Sequence, residues 1–243
     1  MQDYDERTYG ERIAEIYDQQ TPPIERIAID LLEKLAQGGP VLELGIGTGR
    51  IALPLQQRGL QVDGIDASQA MVAKLRQKLG GQEIRIYEGD FAKVEVEGSY
   101  ALIFVVFNTL FALLSQEEQI TCFRNVASRL TPEGSFLVEA FVPDLSRFDR
   151  RQRVAAIGVE ADRVRLDVSQ VNPAAQVVTT QHVFLTADGV KLYPVKLRYS
   201  WPVELDLMAR LAGLKLKHRW ADWQEQAFDD ESQKHISVYE LAS

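Results

Sequence analysis

Cysteine is all but missing from this chain. Its 243 residues include one, Cys122, so an intrachain disulfide and a cysteine-built metal cluster are both excluded, and no other metal-ligand pattern is read. Cys122 falls in a helical pattern over Glu117–Leu130 and reads as a small core residue. Basic residues are also short: 27 Lys and Arg stand against 35 Asp and Glu, a formal charge of −8, which argues against a nucleic-acid or anionic-membrane partner. Long apolar runs are absent. The longest, Ala101–Phe107, falls far short of the roughly 20 residues of a membrane helix and suits a strand buried on both faces. The N-terminal MQDYDERTYGERIAEIYD is charged and lacks the apolar segment of a secretory signal, so the default expectation is a cytoplasmic protein. Repeats and low-complexity tracts are missing too. What remains is 46% apolar residues in a length that accommodates one domain, or one domain and an insert.

The most informative stretch present is Val41–Arg50, VLELGIGTGR. Val41, Leu42 and Leu44 fit a buried strand, Gly45, Gly47 and Gly49 a tight turn, and Ile51-Ala52-Leu53 the opening of a helix. A strand, a glycine turn and a helix start make a ligand cradle, because the helix start leaves N–H groups free. The third glycine comes one position earlier than in the dinucleotide fingerprint G-x-G-x-x-G. Glu43, two residues before the first glycine, suits a positively charged group better than a pyrophosphate.

Two further strand ends follow. Leu60–Ala67, LQVDGIDA, reads as a second strand closed by Asp66, 21 residues after Gly45, where a carboxylate can accept both hydroxyls of a ribose. Ser68 is the expected cap of the helix over Gln69–Leu79. Glu83–Phe91, EIRIYEGDF, alternates as a third strand. Its closing Gly89-Asp90-Phe91 offers an acceptor for an exocyclic amine and a ring to stack on a base.

ELGIGTG at 43–49, GIDAS at 64–68, EGDF at 88–91, YALIFVVFNTL at 100–110 and LTPEGSFLVEAF at 130–141, in this order, resemble the class I S-adenosylmethionine-dependent methyltransferases. The resemblance covers nearly the whole chain. It implies a doubly wound, Rossmann-like α/β fold with a seven-stranded sheet, S-adenosyl-L-methionine bound at the strand C-termini, and methyl transfer by direct displacement. It also implies cofactor contacts from Glu43, Gly45, Gly47 and Gly49, from Asp66, Ala67 and Met71, from Gly89, Asp90 and Phe91, and from Phe107 and Asn108. YGERIAEIYD resembles the N-terminal segment of small-molecule methyltransferases, with Tyr17 capping the pocket.

The strand–helix alternation runs to Phe141, after a helix expected over Glu11–Tyr17 and a second that Pro22 and Pro23 begin and Gly38-Gly39-Pro40 ends. Between Val154 and Trp201 helical periodicity disappears. Arg163–Val171, Val177–Leu185 and Val190–Trp201, joined at Asn172-Pro173 and Asp188-Gly189, predict an antiparallel insert of about three strands. The expected division is a core of residues 1–150 and 202–243 with an insert of 151–201 between strands five and six. A sheet there would cover the pocket and shape the substrate site. It resembles the lid of small-molecule methyltransferases, and the alternative is a homodimer surface.

The loop Phe107-Asn108-Thr109-Leu110 lacks the Asp/Asn-Pro-Pro-aromatic motif of amino-methylating DNA enzymes, and Thr121 rather than proline precedes Cys122. The expected reaction is therefore methyl transfer to O or N of a small molecule. The other readings are a cofactor-binding protein without turnover and an NAD-dependent oxidoreductase, the last disfavoured by the glycine spacing. A hydroxyl acceptor would want a base nearby. Of the three histidines, His182 lies in the expected lid and is the candidate, while Phe107, Phe141 and Trp201 are candidate pocket walls.

Overall fold

The computed structural model describes residues 4–21, 23–93 and 96–242. Two short N-terminal helices, α1 (Thr8–Ile13) and α2 (Tyr17–Gln20), precede α3 (Arg26–Ala36). The helix expected over Glu11–Tyr17 is thus two pieces, with a turn at 14–16. Pro22 lies outside the described residues. Helix α3 begins beyond Pro23, with Glu25 in extended backbone at its N-cap, so Pro23 precedes the helix rather than occupying its first turn.

Then come β1 (Val41–Leu44), α4 (Ala52–Gln57), β2 (Val62–Asp66), α5 (Gln69–Arg76), β3 (Arg85–Glu88), β4 (Tyr100–Val105), α6 (Gln116–Ala127) and β5 (Leu130–Phe141). Helix α5 starts where Ser68 accepts the Met71 N–H at 3.2 Å, the cap expected of it. Helix α6 starts on a reciprocal Ser115–Glu118 capping box. After the insert the chain returns through α7 (Pro202–Leu211), β10 (Leu214–Trp220) and β11 (Lys234–Leu241).

The seven-stranded sheet has the order β10-β11-β5-β4-β1-β2-β3, parallel except at β11, which runs antiparallel to both neighbours. Helices cover both faces, as the buried run of β4 requires. Leu42, Leu44, Ile103 and Phe136 pack with Phe123 of α6 and Met208 of α7, whereas Val41, Leu102 and Leu137 pack with α3 and α4. Strand alternation therefore sends Glu43 to the α4 side.

The insert is a separate antiparallel sheet between β5 and the return to the core. It has four strands where the pattern predicted about three: β6 (Gln152–Val159), β7 (Arg163–Asn172), β8 (Val177–Thr186) and β9 (Gly189–Arg198). The extra strand, β6, is an edge strand of Val-Ala-Ala-Ile-Gly-Val with an irregular register between Ala156 and Gly158, which blurs its alternation.

A buried polar cluster joins insert to core. The Arg198 guanidinium donates to Gln119 of α6 at 2.7 Å, to Ser200 at 2.7 Å and to Glu204 of α7 at 2.8 Å. Among the described residues no helix is long and apolar enough to cross a membrane.

Candidate functional site

A cavity of about 1180 Å³ lies between the C-terminal ends of the parallel strands, the N-terminal segment and the inner face of the insert. It opens where strand order reverses between β1 and β4, the place at which open α/β sheets bind ligands.

The glycine turn forms its floor. Gly45 and Gly47 line the cavity with φ of 72° and 55°, values L side chains rarely adopt. A Cβ at Gly45 would lie 2.5 Å from the Thr109 methyl, so the backbone there is bare by necessity. Gly49 faces away from the cavity and packs against Leu75 and Leu53, bringing the turn close to α5. Glu43 is buried behind the turn and does not line the cavity. Burial pushes its carboxyl well above the usual range, partly offset by the Ala52 N–H at the start of α4, and its Oε2 has no hydrogen-bond partner among the described residues.

Asp66 closes β2 and faces the cavity. Its Oδ2 accepts the Gly47 N–H at 2.7 Å and its Oδ1 the Ser68 N–H at 2.8 Å, so one carboxylate aligns the glycine turn with the start of α5. Burial raises its pKa and these N–H groups oppose the rise. Ala67 and Met71 line the wall beside it. Gly89, off the cavity, ties β3 to β2 through its N–H on the Asp66 carbonyl at 2.9 Å. Asp90 and Phe91 do line it; Asp90 is held by the Ala92 N–H at 2.9 Å and by Lys93 at 2.9 Å.

The loop after β4 holds Phe107 and Asn108 in consecutive left-handed conformations, φ 54° and 63°. Such strain persists only where the surroundings enforce it. Glu139 of β5 accepts the Phe107 N–H at 3.2 Å, and the Asn108 amide oxygen accepts the Phe141 N–H at 2.7 Å. Asn108 lines the cavity with that oxygen committed to the backbone. Phe141 and Trp201 also line it, as wall residues.

The N-terminal segment covers the turn, and several residues that pin it escaped the sequence reading. Glu11 accepts the Ser68 hydroxyl at 2.9 Å and the Ala70 N–H at 3.1 Å; Asp18 accepts the Thr48 hydroxyl at 2.6 Å and pairs with Lys78 at 2.6 Å. Arg50 lies 4.5 Å from the Phe107 ring centroid and 5.7 Å from that of Tyr17. Burial raises the Tyr17 hydroxyl pKa against the opposing pull of Arg50, so a neutral phenol faces the cavity.

From the insert come Arg153 of β6, Asp167 and Ser169 of β7, and Thr180 and His182 of β8. The sequence reading singled out His182 but missed its partner: its Nδ1 lies 2.6 Å from Asp167 Oδ1. Only the β7–β8 register, which sets Asp167 opposite His182, reveals the pair.

These residues fit S-adenosylmethionine. The bare turn admits an amino-acid moiety, Asp66 retains lone pairs for a diol, and Asp90 with Phe91 suits an adenine. Residues 41–134 match the family model described as a methyltransferase domain. The solved CcbJ methyltransferase from Streptomyces caelestis is 41% identical, with 99% of this chain and 100% of that one covered and a TM-score of 0.94. A cypemycin N-terminal methyltransferase from Streptomyces is 27% identical over 219 residues, 87% of this chain and 89% of the relative. The SAM-bound amino pentose methyltransferase CalS10 from Micromonospora echinaspora shares the fold at TM-score 0.69 and 18% identity, over 93% of this chain and 94% of that one. With a 41% identical relative matched along its full length, and residues that fit the cofactor gathered at the sheet's switch point, the chain belongs to the class I S-adenosylmethionine-dependent methyltransferases.

Proposed function

We propose that this methyltransferase methylates the nitrogen of a small-molecule amine. The cavity's charge carries the reading. Among the described residues nine carboxylates line it (Asp5, Glu6, Asp66, Asp90, Glu139, Asp144, Asp167, Asp230 and Glu231) against three cationic side chains, Arg147, Arg153 and Lys234. A net-negative, partly enclosed cavity concentrates cations, and an ammonium is the form in which an aliphatic amine arrives at neutral pH. The names of the cypemycin N-terminal and amino pentose methyltransferases place amines among the acceptors of similar proteins.

In this reading the core of residues 1–150 and 202–243 holds the cofactor and the insert of 151–201 is the lid. Asp66 accepts the ribose hydroxyls, Asp90 the adenine amine, Phe91 stacks on the base, and Gly45 and Gly47 cradle the amino-acid end beneath Tyr17. The bound cofactor supplies an electrophilic methyl, so that a nitrogen–methyl bond forms as the methyl–sulfur bond breaks and its electron pair stays on sulfur. The protein's task is to align the acceptor and exclude water, and alignment supplies much of the rate. Incubation with methyl-tritiated cofactor and a panel of amino sugars, amino-acid amides, peptides, phenols and carboxylic acids tests this. Label on nitrogen is expected; label recovered only as ethers or esters would overturn the reading.

We also infer that the insert's outer face joins two copies of the chain. Across its ladders Val154 meets Val168, Val183 meets Leu166 and Leu192, and Val164 meets Val159 and Leu185. Val154, Val159, Val190 and Leu192 are 67%, 75%, 62% and 50% exposed. Four strands of this length present roughly 650 Å² per copy at ordinary strand spacing. Doubled, that is about 1,300 Å², within the range of a stable interface. A dimer by light scattering, split by Val159→Glu with Leu192→Lys, is the expected result; a wild-type monomer at micromolar concentration would sink the inference.

A further inference from the structure

An amine that enters as an ammonium has no lone pair to attack a methyl, so on the amine reading it must give up a proton, and a group in the cavity is placed to take it. Among the lining groups, Tyr9 and Tyr17 are unsuited, because burial raises both hydroxyls and keeps them protonated. On the same reading the cofactor's ribose and adenine occupy Asp66 and Asp90, and Glu139 is held by the Phe107 N–H and lies 3.6 Å from Lys234. His182 stands apart. A carboxylate accepts and does not donate, so the 2.6 Å contact fixes the proton on Nδ1 and leaves Nε2 as an acceptor. The groups facing His182 are Asp167 and, 3.9 Å beyond it, Arg165 on β7, Tyr193 opposite it in register on β9, and Tyr9 on α1 with its ring edge-on at 6.4 Å. The imidazole is 15% exposed and lines the cavity, so a substrate can reach it while the protein holds its orientation.

We propose that His182 Nε2 is the catalytic proton acceptor for the amine and that Asp167 is its positioning residue. The amine's N–H bond breaks, the electron pair stays on nitrogen as the attacking lone pair, and the proton forms the N–H bond of an imidazolium. Asp167 stabilises that cation and holds the tautomer. After transfer the imidazolium releases its proton to solvent, so each turnover of an ammonium acceptor yields one proton and needs no co-reactant.

The first test needs no acceptor. Nitrogen-15 spectra of histidine-labelled protein with S-adenosylhomocysteine, assigned with His182→Gln, should show His182 protonated at Nδ1 and bare at Nε2 at alkaline pH. Asp167→Asn should abolish that preference, and the opposite tautomer in wild type would overturn the proposal. The second test is kinetic. With an aliphatic amine from the labelled-methyl screen, His182→Gln should lower kcat about 10²-fold, the low end for general-base catalysis. KM should change little, the acidic limb of the pH–rate profile should vanish, and added imidazole should restore part of the rate. With an aromatic amine, neutral at working pH, the same variant should lose less than threefold. Asp167→Asn should shift the acidic limb without removing it. Amine methylation unaltered by His182→Gln overturns this proposal alone. Failure of every amine to accept label overturns the amine reading and the proposal with it.

Discussion

The two walls of the cavity are made of different material. On the sheet-edge wall the working groups are largely backbone: the bare turn at Gly45 and Gly47, and the N–H groups of Gly47 and Ser68 that orient Asp66. On the insert wall they are side chains, Arg153, Asp167, Ser169, Thr180 and His182, spread over three adjacent strands. A backbone-built wall tolerates few changes, since a Cβ at Gly45 already meets Thr109. A side-chain wall can be rewritten one residue at a time without disturbing the ladder that carries it. The difference suits an enzyme with a constant donor and a specific acceptor.

If that division is right, damage to the insert's anchor should cost stability while leaving the donor site intact. Arg198→Ala should have the largest effect. It strands Glu204, Gln119 and Ser200 in a buried cluster, a loss on the order of 3–5 kcal/mol. Chemical denaturation should show it, and calorimetry with S-adenosylhomocysteine on the folded fraction should show near-wild-type affinity. Loss of both together would mean that the two walls are one unit. Next in size is the reverse case. Asp66→Ala removes the acceptor of two backbone N–H groups and should weaken S-adenosylhomocysteine binding by about 1–3 kcal/mol. An unchanged affinity would remove Asp66 from the donor wall.

Acid should act on the anchor in a smaller, graded way. Burial works against the Glu204 carboxylate, but hydrogen bonds from Arg198, Gln176 and Gln116 prevail and hold its pKa below the ordinary 4.5. A depressed carboxylate contributes stability that is fully present above its unfolded pKa and is lost as pH falls through the lower folded one. Hydrogen exchange in β8 and β9 should therefore quicken below about pH 4.5, and less so in Glu204→Gln. The smallest effect is expected at the seam between the walls. Tyr17→Phe removes a hydroxyl hydrogen-bonded to Arg50 and should cost about 0.5–1.5 kcal/mol of donor affinity, read by calorimetry.

What could be read along the chain follows the same division. The sheet-edge wall was legible because its elements are local: three glycines within five residues, an acid closing one strand and Gly-Asp-Phe closing the next. The seven-stranded order then places them together at the switch point. Glu43 shows the limit of such reading, since its charge suggested a ligand contact and strand alternation buries it on the α4 side. The pins of the N-terminal segment were illegible, because Glu11 and Ser68 are 57 residues apart and Asp18 and Thr48 are 30 apart. Neither carboxylate carries a local signature.

By itself, then, the chain's local chemistry determined the class of fold and the donor, because glycine conformation and strand-terminal acids are properties of short segments. Only the tertiary structure decided which side chains of the insert line the cavity. Asp167 reaches His182 through a hairpin register, and the insert is fastened over the cavity by a cluster joining Arg198 to Gln119, 79 residues away. Contacts of that kind depend on how separated strands are aligned and packed, which no local pattern of residues encodes.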